Sequence, residues 1–274
     1  MSPMNNRLLV PRKTPGLLDL VPGAAAAYSL RSLSNSYAGP VVTVRRSSDD
    51  AEEDFTAAEV ADGTLAAFCG AGNGFVKQWW DQSGNANHAS QTTAGYQPKI
   101  VSSGAVITAD GNACIQFDGS DDRLRFATAI DASTYTCISV FNRATTTSNV
   151  CVLGQESASL PYAIIATGSL LYGANGTGGS AVYKGVNANA IPTDKQVVAT
   201  QDSSGPRIWV NSAEIALPVT GSLASASSFT ELGAKRFSTI TYSNASFSDV
   251  VVYGEVLADN VRQTAEAYLA WSHS

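Results

Sequence analysis

The chain has 274 residues, of which 44% are apolar and only 15% charged, and its formal net charge is -6. That apolar content supports a real core, and an all-β sandwich of this length folds as one domain. The acidic balance excludes generic binding to phosphate backbones, so no nucleic-acid partner is expected, and no apolar run is long enough to cross a bilayer as a helix, so no membrane insertion is expected.

Residues 1–23 read as an arm. Pro3, Pro11, Pro15 and Pro22 interrupt any helix, while Leu17, Leu18 and Leu20 are apolar with no local partner of their own. Such an arm docks either on its own sandwich or on another subunit; the alternative is a frayed terminus. Arg7, Arg12 and Lys13 precede no continuous apolar stretch, so a signal peptide is not expected and first folding in a reducing cytoplasm is. In that setting Cys69, Cys114, Cys137 and Cys151, none of them in a C-x-x-C pair, read as free core thiols. His88 and His273 are too far apart in sequence to suggest a zinc site.

The remaining 24–274 read as one domain. Alanines and leucines at helical spacing predict a helix over 24–37, stopped by Gly39-Pro40. A β-branched strand follows at 41–44, and after an acidic loop a helix is predicted over 57–68, closed by Gly70 and Gly72. Residues 75–80 read as a strand running into a turn. In that turn Asp81, Gln82, Ser83 and Gly84 have the composition of a segment whose side chains bind nearby backbone. From about residue 98 the chain is a run of short strands separated by turn residues, the pattern of a sandwich. Ser203-Ser204-Gly205-Pro206 reads as a hairpin turn, and 246–253 as a strand that begins by alternating and ends wholly apolar. A final helix is predicted over Asp259–Trp271, with Asp259 as N-cap and Val261, Ala265, Tyr268 and Leu269 as its apolar stripe.

Candidate binding residues are sparse. Tyr162, Tyr172, Asn175 and Tyr183 sit in small, glycine-rich surroundings and would form a carbohydrate platform if they shared one face; the alternative is that they are core. Asp118, Asp121 and Asp122 offer oxygen ligands to Ca²⁺, or else are simply solvated, and no other cofactor is implied. No G-x-S-x-G elbow or phosphate loop occurs.

Two stretches carry a family resemblance. Ala27-Tyr28-Ser29-Leu30-Arg31 and Val44-Arg45-Arg46-Ser47-Ser48-Asp49, with Phe75-Val76-Lys77-Gln78-Trp79-Trp80-Asp81-Gln82-Ser83-Gly84-Asn85, resemble the start of the arabinofuranosidase B catalytic domain. Phe117-Asp118-Gly119-Ser120-Asp121-Asp122-Arg123-Leu124, Arg207-Ile208-Trp209-Val210-Asn211 and the closing strand and helix are similar to LamG-type concanavalin A-like modules. The resemblance implies an all-β, concanavalin A-like two-sheet jelly roll. It also implies, in the arabinofuranosidase family, two catalytic carboxylates downstream of the Asp-Gln-Ser-Gly segment, together with an adjacent cysteine pair. No Cys-Cys pair occurs here, and the downstream carboxylates Glu156, Asp194, Asp202, Glu214 and Glu231 do not sit in the family's motif, so no catalytic residue is carried over.

The combination is similar to virion proteins of tailed bacteriophages. The expectation is therefore a non-enzymatic virion structural or adhesion module. It would be anchored to other virion proteins through the arm, with host polysaccharide as ligand and self-association into a homo-oligomer. The alternatives are a lectin-like module and an arabinofuranosidase-like glycoside hydrolase.

Overall fold

A computed structural model describes residues 13–145, 148–155, 162–167, 170–174, 186–187, 194–202, 205–215, 228–236 and 240–272. The short helix α1 (Leu17–Leu20) leads into strand β1 (Ala24–Ser29), where the alanine run had predicted a helix. Tertiary pairing overrides propensity here. β1 lies antiparallel to the ten-residue strand β23 (Asn244–Tyr253), and Ala26, Ala27 and Tyr28 are fully buried. Small side chains let this strand be covered on both faces, which a solvent-facing helix would not need.

One layer of the sandwich runs β3 (Glu52–Phe55), β2 (Val42–Arg46), β4 (Gly74–Trp79), β6 (Lys99–Ser102), β10 (Ile115–Asp118), β23 and β12 (Tyr135–Arg143). It continues through β17 (Asp194–Asp202), β18 (Gly205–Val210) and β19 (Ala213–Glu214). Along one edge of β23 the first half pairs with β10 and the second half with β1; along the other edge it pairs with β12. The far end of β4 pairs instead with β5 (Ala89–Ser90), which starts the second layer. That layer continues through β11 (Leu124–Asp131), β20 (Ser228–Leu232), β13 (Val150–Gly154), β14 (Tyr162–Thr167), β15 (Leu170–Ala174) and β16 (Val186–Asn187). Short strands complete the set: β7 (Ala105–Val106) on β6, β8 (Thr108–Ala109) with β9 (Asn112–Ala113), and β21 (Ala234–Arg236) with β22 (Ile240–Tyr242).

The two layers enclose a core containing Tyr28, Trp79, Phe117, Tyr135, Phe141, Phe229, Phe247, Val250 and Val252. The edge-to-face pair Tyr135–Phe229 (4.9 Å) spans it, and Phe117–Phe247 (5.1 Å) packs edge-to-face within the first layer. A second cluster lies outside the first layer, where Ile138, Val251, Tyr253 and Trp209 meet Leu17 of α1 and Leu257, Ala265 and Leu269 around α4 (Asp259–Trp271). Val250 and Val252 thus face the sandwich interior while Val251 and Tyr253 face the helix, which explains the apolar run at the end of β23.

Local departures have local causes. Leu17 is fully buried against its own domain, so this part of the arm docks inward; Leu18 is partly covered and Leu20 is exposed. The helix expected over 57–68 is two helices, α2 (Ala57–Ala61) and α3 (Thr64–Cys69), because Gly63 takes φ 93° between them. Thr56 and Glu59 close a capping box on α2. Ala258, not Asp259, is the N-cap of α4 and makes no side-chain cap bond; Asp259 sits in the first turn, where its charge complements the helix dipole. All four cysteines are buried and free.

Candidate functional site

The Asp-Gln-Ser-Gly turn is spent on backbone. Asp81 Oδ1 accepts the N–H groups of Ala27 (2.8 Å) and Ser83 (2.9 Å), and Oδ2 accepts Asn87 N–H (3.0 Å) and the Ser83 hydroxyl (2.8 Å). Gln82 accepts from Leu33 N–H at 2.8 Å and donates to the carbonyls of Ser29 (3.0 Å) and Arg31 (2.9 Å). Gly84 takes φ 93° at the tip. His88 Nδ1 accepts the Asp81 N–H at 3.1 Å, and its ring packs on Trp80. Asp81 and Gln82 therefore staple β1 and its following loop to the end of β4.

Asp118 ends β10 and Asp121 and Asp122 follow in the next loop, with ligand oxygens within 4.8 Å of one another. Asp122 is only 6% exposed, and its Oδ2 accepts the Asp118 N–H at 2.9 Å. Burial, reinforced by the Asp118 charge, pushes its carboxyl up to about 7. A glycosidase needs two carboxylates on opposite sides of the scissile bond, at least ~5 Å apart. Three carboxylates crowded at one strand end, all within 4.8 Å of one another, approach a sugar from one side only. They do not make such a pair.

In the downstream half, Glu231 on β20 is one of the buried carboxylates, with Asp249 and Glu266. It is 3% exposed, and lies 3.5 Å from Arg125 of the neighbouring strand β11, directly across the ladder; Arg125 is more than half exposed. On its other side Glu231 faces Gly154 at the end of β13, whose start carries Cys151. Burial raises the Cys151 thiol to about 12, so it is inert as a nucleophile; the nearby Lys235 ammonium is shifted down by burial. Glu214 is exposed and paired with Arg207 at 2.9 Å. Asp194 and Asp202 mark the two ends of β17. Glu156 lies outside the described residues, as do Asn175 and Tyr183, while Tyr162 and Tyr172 start β14 and lie within β15.

Among the described residues, two of the cavities lie against the first layer. One, of about 460 Å³, is lined by Arg31, Val60, Thr108, Asn112 and Ser248. Arg31 is held there by Asp249 at 2.9 Å. The other, of about 300 Å³, is lined by Phe75, Gln97, Lys99, Gln116, Asp118 and Asp122. Sequence reading singled out Asp118 and Asp122 of the second group but not Phe75, Lys99 and Gln116 as their partners, because these come from three strands. The signal was the outward phase of each strand, which becomes a surface only once the register is known.

Residues 19–133 match the model of the family described as the alpha-L-arabinofuranosidase B catalytic domain. Among solved structures, a glycoside hydrolase family 54 α-L-arabinofuranosidase soaked with a cyclic sulfate inhibitor superposes with a TM-score of 0.64 at 17% identity, covering 93% of this chain and 64% of that one. An arabinofuranosidase complexed with arabinofuranosyl-α-1,2-xylobiose gives a TM-score of 0.62, also at 17% identity and with the same 93% and 64% coverage. The chain thus spans 64% of the length of these structures. No curated protein matches the sequence. The all-β sandwich is the fold these matches share. They overturn the expectation of a non-enzymatic virion module, since the matched family model is a catalytic domain, and they lend no support to the virion and LamG readings. The match covers all of β1 to β11.

Proposed function

We propose that this chain is an arabinofuranosidase-like glycoside hydrolase domain acting on α-L-arabinofuranosidic bonds. The match of residues 19–133 to a catalytic-domain family carries the reading, and the sandwich that continues it over 93% of the chain supports it. Hydrolysis of such a bond calls for one carboxylic acid to protonate the leaving oxygen and one carboxylate to act as nucleophile or base. Among the described downstream residues the carboxylates of Glu231, Asp249 and Glu266 are buried; Glu231 is the one whose ion-pair partner, Arg125, is more than half exposed, and that guanidinium suits an ionised, nucleophile or base role.

The test is release of 4-nitrophenol from 4-nitrophenyl α-L-arabinofuranoside. The wild type should turn over, and Glu231→Gln should lose about 10³-fold in kcat. A wild type that releases nothing between about pH 4 and 8, the range where a carboxylate pair operates, overturns the hydrolase reading. Full activity in Glu231→Gln overturns the residue assignment alone.

A further inference from the structure

We infer that the outer face of the first layer carries a saccharide-binding subsite, separate from Glu231, formed by Phe75, Lys99 and Gln116 and closed by Gln97, Asp118 and Asp122. The ladder places these residues in register. Arg45 of β2 pairs with Phe75 of β4, Phe75 with Lys99 of β6, and Lys99 with Gln116 of β10. Cross-strand partners share a face and stand about 5 Å apart, so the four form one row perpendicular to the strands. Gln97 and Asp118 lie two positions from Lys99 and Gln116, and so in phase with them.

The row is a cavity and not a flat surface. Residues 94–96, a single 3-10 turn, wall one side and the 118–122 loop the other, enclosing about 300 Å³. That volume holds one sugar ring of a longer chain. The lining has the chemistry such a ring requires: one aromatic side chain, planar amides and carboxylates for vicinal hydroxyls, and an ammonium. Parts of it are built rather than incidental. Arg45 lies 4.9 Å over the Phe75 ring and donates to Gln97 Oε1 at 2.8 Å, while Gln97 Nε2 donates to the Gln91 carbonyl at 2.8 Å. These contacts lock Phe75 and Gln97 before any ligand arrives, which lowers the ordering cost of binding. Asp122 is nine-tenths buried yet lines the cavity, with one oxygen held by the Asp118 N–H. The row continues beyond the cavity through Ser246 of β23 and Asn142 of β12, both in register with Gln116, so a polysaccharide chain can lie across the strands.

The test is an NMR titration of the isotope-labelled protein with L-arabinose, D-xylose and xylobiose, and separately with CaCl₂. At least one sugar should give saturable shifts at the amides of Phe75, Lys99 and Gln116, with a dissociation constant near about 1 mM. Gln116→Ala and Lys99→Ala, both at solvent-facing positions, should each weaken it about fivefold, the value of one hydrogen bond. Glu231→Gln should bind as the wild type does, so failure of the hydrolase reading and failure of this subsite are read separately. Absence of saturable shifts with every sugar, shifts centred elsewhere, unchanged affinity in both alanine variants, or a response to Ca²⁺ alone would each overturn the assignment.

Discussion

Asp81 accepts four hydrogen bonds while almost wholly buried, three of them from backbone N–H groups. Such a carboxylate holds structure by satisfying donors that have no other outlet. Asp81→Ala should lower unfolding stability by about 3–5 kcal/mol in urea titrations, because it orphans those donors around β1. Asp122 makes the opposite kind of contribution. Its folded value, about 7, lies above its unfolded value, so the native state keeps a proton that the unfolded chain has released. Stability present below about pH 4 is therefore lost as pH rises toward 7, by at most about 4 kcal/mol. Asp122→Asn should flatten this decline, as read from denaturation midpoints across that window. The composition of the Asp-Gln-Ser-Gly turn made its role legible in the sequence. Asp122 was not legible in the same way, because burial of one acid among three is set by the walls around it.

The elements were legible where one face meets the core and misread where both do. β4, β23 and α4 follow the periodicity of their residues. The 24–29 segment does not, because alanine is compatible with either state and only the slot between β23 and the 81–82 turn decides. α4 docks through charge as well as apolar contact. Arg262 sits 4.0 Å over the Trp209 ring and pairs with the fully buried Glu266. Arg262→Ala should cost about 3–5 kcal/mol by removing the cation beside that carboxylate, whereas Arg262→Met with Glu266→Leu should recover most of it. A thermal-melt series of the two variants checks this. In β20 and the turn after it, Gly233 takes φ 84°, and an added Cβ would lie 2.3 Å from Phe117 Cε1. Gly233→Ala should thus destabilise by about 3 kcal/mol, seen as a lowered denaturation midpoint.

At the scale of the molecule, the four buried thiols predict their own accessibility. A thiol reagent should label none of Cys69, Cys114, Cys137 and Cys151 in the native state and all four in denaturant, a count that mass spectrometry reads directly. Sandwich architecture was legible from strand density and turn spacing. Function was less so, since the upstream resemblance pointed to a hydrolase family while the downstream half lacks the motifs which that resemblance implies. The strand order has a consequence for synthesis. β23 is the partner of β1, β10 and β12 at once, yet it is translated after all of them. Until it emerges from the ribosome, three earlier strands wait with unpaired edges, so nascent chains stopped before residue 244 should be chaperone clients and prone to clumping, whereas a rearranged gene that starts with β23 should fold as it is made.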